Sequence, residues 1–179
     1  MPNRRDLIAA AIGCLLMIAT PASAHITLET GKAPIGAAYK AVFRIPHGCD
    51  GSATIKLRVE IPAGVIEVKP QPKPGWQVET VKGTYAAALT LEGTKLTTGV
   101  KEVVWSGGKL PDEFYDEFVF EAFLTDSLPS GTTIYFPVIQ QCETRIERWI
   151  EIPEPGKTPD DYEHAAPALA LVPNAGSDD

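Results

Sequence analysis

Thr54-Ile55-Lys56-Leu57-Arg58-Val59-Glu60-Ile61 alternates apolar residues at 55, 57, 59 and 61 with polar residues between them. A period of two sends the apolar set to one side of an extended chain and the polar set to the other, so this stretch predicts a strand with one buried face. The same reading fits Tyr39 to Ile45, Trp76 to Glu79, Lys101 to Trp105 and Phe118 to Ala122, with later strands expected over Thr133 to Ile139 and Arg145 to Ile152. Between them stand Pro46-His47-Gly48, Pro62-Ala63-Gly64, Lys73-Pro74-Gly75, Ser106-Gly107-Gly108 and Pro129-Ser130-Gly131, each able to supply the fixed or positive φ of a turn. Seven to nine short strands with one apolar face each make an all-β, antiparallel β-sandwich the economical architecture.

Composition agrees with that pattern. The 179 residues are 44% hydrophobic and 22% charged, enough for one cored domain, and the 16 prolines and 15 glycines favour many short elements over long helices. The net charge of −7 denies the chain the positive field that non-specific phosphate binding needs, which argues against a nucleic-acid partner.

The beginning of the chain reads differently. Arg4 and Arg5 precede an apolar run from Leu7 to Ala19, too short for a membrane span, and Ala22-Ser23-Ala24 is the small-x-small pattern of a signal-peptidase site. Residues 1–24 are therefore expected to be a cleaved signal peptide, with no transmembrane segment in the mature chain. Two rivals are lipidation at Cys14, disfavoured because Cys14 lies inside the apolar run, and twin-arginine export, left open by the paired arginines. Cleavage would make His25 the first residue of a periplasmic protein of net charge −8. It would also leave two cysteines, Cys49 and Cys142. In an oxidising compartment that pair reads as a disulfide, and the alternative of a thiolate metal site lacks close ligand spacing. From Glu154 to Asp179 the chain turns Pro-, Ala- and Asp-rich without a period and is read as a tail lying on the domain or disordered, with the domain itself over 25–153.

The chemical inventory is lean: three histidines (His25, His47, His164), no phosphate loop, no Cys-x-x-Cys and no nucleophile elbow. The acidic cluster Asp112, Glu113, Asp116 and Glu117 reads as a solvated loop, because no nucleophile accompanies it. His25 stands apart. A terminal histidine offers its α-amine and imidazole to one metal as a chelate, and nitrogen-rich ligation suits Cu(II). In Arg145 to Ile152 the apolar phase runs through 146, 150 and 152, which assigns Trp149 to the wet face beside Glu147 and Glu151; the plainer account has Trp149 packing against the tail or a crossing loop. With Phe118, Phe120, Ala122 and Leu124 facing in, Glu117 and Glu121 face outward as available carboxylates.

Ala24-His25-Ile26-Thr27-Leu28-Glu29, Pro62-x-Gly64-Val65, Lys73-Pro74-Gly75-Trp76, the segment Leu110 to Phe118 and Glu147-Arg148-Trp149 together resemble the YcnI-like copper-binding proteins of bacterial envelopes, over about residues 24 to 153. The resemblance implies an immunoglobulin-like sandwich that binds Cu(II) in copper homeostasis. It implies a brace with one histidine: the amine and imidazole of His25, a carboxylate matching Glu113 or Glu117, and Trp149 close by. Strand phase favours Glu117. Cys49 and Cys142 depart from Gram-positive members, suggest a diderm periplasmic branch, and leave a separate site at Cys49 and His47 as a minor alternative. The resulting expectation is a periplasmic protein that buffers Cu(II) or hands it to other copper-trafficking proteins, without catalysing a reaction. The rivals are a copper monooxygenase-like enzyme, which would need His47 or His164 beside His25, and an interaction module presenting Trp149 and an acidic surface.

Overall fold

The computed structural model describes residues 25–174, and the expected signal peptide, with Cys14, lies outside them. The chain runs through β1 (Thr27–Leu28), β2 (Lys32–Pro34), β3 (Ala37–Ile45), β4 (Thr54–Glu60), β5 (Val65–Pro70), β6 (Gln77–Leu91), β7 (Thr94–Leu110), β8 (Asp116–Leu124), β9 (Thr133–Tyr135), β10 (Val138–Cys142), β11 (Ile146–Trp149) and β12 (Ala168–Val172). Two antiparallel sheets, ordered β1-β3-β8-β5 and β11-β10-β4-β7-β6, share one core, and a third small sheet, β2-β12-β9, closes one side. The fold is an immunoglobulin-like β-sandwich.

The alternation seen in the sequence explains the packing. Phe118, Phe120, Ala122 and Leu124 of β8 point inward together with Phe43 of β3, and they meet Leu57 and Val59 of β4, Trp105 of β7 and Val138 of β10. Edge-to-face contacts, Trp105 on Phe118 at 5.5 Å and Phe43 on Phe136 at 5.7 Å, suit the ring quadrupoles better than flat stacking.

Three expectations need correction. Ser106-Gly107-Gly108 does not end a strand: β7 runs through it, and the register against β4 shifts between Thr54 and Lys56. Gly107 takes φ +77°, and a Cβ on Gly108 would strike the Trp76 indole, so the two glycines bend the strand and seat that ring. The stretch from Thr133 to Ile139 is two strands, because Phe136-Pro137 breaks the ladder before β10. The domain also does not stop at 153. Leu169 and Leu171 of β12 are fully buried, and β12 pairs in parallel with β2 and antiparallel with β9.

Cys49 and Cys142 are bonded to each other, joining the loop after β3 to the end of β10. Both thiols being spent on that bond, a thiolate site with His47 has no ligands to use. Among the described residues no helix is long and apolar enough to cross a membrane.

Candidate metal centre

His25 stands just before β1, where the buried side chain of Ile26 anchors the chain to the core. Its imidazole reaches across to the C-terminal segment. Nε2–H donates to the carbonyl of Tyr162 at 2.9 Å and approaches that of Glu163 at 3.2 Å. Carbonyl oxygens only accept, so these partners put a ring hydrogen on Nε2. Nδ1 is the nitrogen that can close a six-membered chelate with the α-amine of the same residue.

Trp149 meets the same imidazole edge-on, with ring centroids 5.9 Å apart and planes at 81°. The proximity expected from the resemblance is therefore present, but the expected exposure is not. Trp149 is only 5% exposed, while Ile146, Ile150 and Ile152 are 46%, 43% and 56% exposed, so the phase of this strand is the reverse of the sequence reading. The physical reason is the size of the indole and its partner. Burying that ring removes more apolar surface than burying an isoleucine, and its N–H donates to the buried Gln140 Oε1 at 2.9 Å. The C-terminal segment covers what β11, at the edge of its sheet, would otherwise leave wet.

His164 belongs to this cluster. Its ring lies 5.2 Å from that of Trp149, its Nε2–H donates to Glu147 Oε2 at 3.0 Å, and its backbone N–H donates to Glu151 Oε2 at 2.7 Å. Sequence reading set His164 aside because it lies in an aperiodic, Pro-rich stretch. The only available signal was chemical, an imidazole following the acidic Asp160-Asp161-Tyr162-Glu163. A small cavity of about 240 Å³ opens beside His25 and runs between Ile26 to Leu28 and the segment from Pro159 to Ala168.

The carboxylates assigned by resemblance lie elsewhere in the sheet. Glu117 stands on β8 opposite Arg44 of β3, which in turn stands opposite Thr27 of β1, so Glu117 is two strands away from the start of β1. It faces outward as the strand phase predicts. Glu113 is exposed on the turn before β8, closed by Phe114 N–H donating to Pro111 O. Among the described residues no group of three or more His, Cys, Asp or Glu side chains gathers into a metal-holding cluster. A one-histidine brace does not need such a cluster, because it draws two donors from one residue and one of them is backbone nitrogen. Two carboxylates are bonded to this assembly through His164: Glu147, on the same face of β11 as Trp149, at the ring, and Glu151 at the backbone N–H.

Residues 25–171 match the family described as DUF1775, a domain of unknown function. The chain belongs to the DUF1775 family. The match begins at His25 and ends within β12, so the DUF1775 unit includes the C-terminal segment that covers the histidine. Among curated proteins no sequence matches. The chain is similar to an uncharacterized protein from Nocardia farcinica whose crystal structure reveals an immunoglobulin-like fold, at 25% identity and a TM-score of 0.61, covering 84% of this chain and 99% of that one.

Proposed function

We propose that the mature protein is a periplasmic Cu(II)-binding protein that buffers copper or passes it to a partner in the envelope, and that it is not an enzyme. The observation that carries this reading is the state of His25: its Nε2–H is committed to the carbonyls of Tyr162 and Glu163, which supports Nδ1 as the donor, and Trp149 flanks the ring. With residues 1–24 removed, the α-amine of His25 joins Nδ1 as a two-nitrogen chelate of the kind Cu(II) favours. The resemblance to YcnI-like proteins supports the same ligands and supplies a carboxylate from Glu117 or Glu113. Glu147 competes for that role, since it is bonded to the His164 ring, which packs at a tilt against Trp149. A bound Cu(II) would supply a redox-active, paramagnetic centre next to Trp149. His25 orients the donors, and the covering segment limits water around the imidazole.

The test is a Cu(II) titration of protein whose mass begins at His25, compared with His25→Ala and with Glu113→Gln, Glu117→Gln and Glu147→Gln separately. One equivalent is expected to bind and quench Trp149. Loss of an outer-shell partner typically costs roughly 10–100-fold in metal affinity, and His25→Ala should cost more than that. Unchanged affinity in His25→Ala would discard the site, and the Glu variant that loses most identifies the carboxylate.

A further inference from the structure

Behind the Trp149 indole lies a buried chain of polar groups with a fixed direction. Gln140 sits in the middle of β10 with its side chain buried. Its Oε1 accepts from Trp149 Nε1 at 2.9 Å; its Nε2 donates to the carbonyl of His47 at 2.9 Å and to Thr54 Oγ1 at 2.8 Å. An indole N–H can only donate and a carbonyl can only accept, so both ends of the carboxamide independently demand the same orientation. Thr54 Oγ1, already accepting from Gln140, lies 3.6 Å from Cys142 Sγ, and a disulfide sulfur has no hydrogen to give. The hydroxyl hydrogen therefore points to sulfur. Every donor from Trp149 to the Cys49–Cys142 bridge points the same way, and each link lies in the protein interior, where an unmade hydrogen bond is costly.

We propose that Gln140 is a positioning residue of the His25 site, holding the Trp149 indole against the imidazole by tying it to the disulfide-anchored corner of the sandwich. The inference rests on the copper reading for its functional consequence, while its structural half, the placement of Trp149 against His25, stands without metal. Apolar packing alone would leave an indole free to slide or flip within its slot. The hydrogen bond to Gln140 removes that freedom, and the bonds to His47 and Thr54 in turn stop the carboxamide from rotating. His25 is thereby held on two sides: by the carbonyls of Tyr162 and Glu163 at Nε2, and by the indole at its ring.

The test combines two-dimensional NMR of the indole N–H groups with Cu(II) titration, using the mature chain, Gln140→Met, Trp149→Phe and the double variant. In Gln140→Met the Trp149 N–H resonance should shift and lose protection from solvent exchange, and the nuclear Overhauser contacts between the Trp149 and His25 rings should disappear. Cu(II) affinity should fall by about 10-fold, the low end of what outer-shell partners contribute. A general loss of stability would also weaken binding, so the deciding comparison is the double variant: Gln140→Met should add nothing once Trp149 is Phe. An equal loss in both backgrounds, or ring contacts that survive in Gln140→Met, would overturn the proposal. Should Gln140→Met fail to fold, Thr54→Val loosens the same carboxamide and carries the same comparison. If the mature wild-type chain binds no Cu(II), the copper reading fails and the ring contacts alone decide the role of Gln140.

Discussion

Tyr39 shows how one side chain in this fold carries a pH dependence. Its ring is buried in β3, its hydroxyl donates to the carbonyl of Thr30 at 2.7 Å, and burial raises its pKa well above the ordinary phenol value. The sign follows from linkage. The folded chain holds the proton more tightly than the unfolded chain, so the contribution is complete below the unfolded tyrosine pKa of about 10 and is lost as pH rises beyond it. Denaturant unfolding at a series of alkaline pH values should therefore show stability falling above about pH 10. Tyr39→Phe should flatten that fall, at a cost of about 1 kcal/mol near neutrality for the missing hydrogen bond. Residue-scale features of this sort were only partly legible beforehand. His25 could be singled out because the expected cleavage after Ala24 would give it an amine, whereas the inward turn of Trp149 could not, since the three isoleucines Ile146, Ile150 and Ile152 on the opposite phase of the same stretch outweigh one indole in any periodic count.

At the scale of elements, legibility followed length and side-chain contrast. β3, β4 and β8 alternate bulky apolar with charged residues and sit where the alternation put them. β12 escaped because Ala168-Leu169-Ala170-Leu171-Val172 sets leucine against alanine, a contrast too weak to mark a face, inside a segment dominated by proline and acid. The full length of the β6–β7 hairpin escaped for the opposite reason: toward its Glu92-Gly93 turn it carries little core, and most of its residues there are exposed or half-exposed. β12 matters most for the site, because it ends the segment that brings Tyr162, Glu163 and His164 to His25 and Trp149. Leu169→Ala removes a wholly buried side chain and should cost about 2–5 kcal/mol by chemical denaturation. The same variant should increase solvent exchange of the amides of β2, since β2 pairs with no strand other than β12 in its sheet. A loss below about 0.5 kcal/mol, the range of ordinary surface changes, would mean that the segment is an appendage and not part of the domain.

Taken as a whole molecule, the chain gathers at one place three parts that are far apart in sequence: its expected mature start at His25, Trp149 of β11, and the stretch from Tyr162 to His164. Two of these are fixed by the sandwich itself, and the first is fixed by Ile26, whose side chain is almost fully buried immediately after the histidine. Contacts within the described residues therefore hold the imidazole, and they are distinct from the α-amine on which its proposed chemistry depends. A mature chain acetylated at the α-nitrogen of His25 keeps Ile26, the Nε2 bonds to the C-terminal segment and the Trp149 contact. Its thermal midpoint should match that of the mature chain. Its first nitrogen is different, because the amine of His25 has become an amide, a poor metal donor at neutral pH, and the two-nitrogen chelate is broken. Cu(II) affinity in that chain should drop by more than the roughly 10–100-fold typical of outer-shell changes. Intact mass of protein recovered from the periplasm should correspondingly begin at His25. Equal copper affinity in the mature and acetylated chains would show that the α-amine is not a ligand, and a natural start at any other residue would remove the His25 amine from the protein as it exists in the cell.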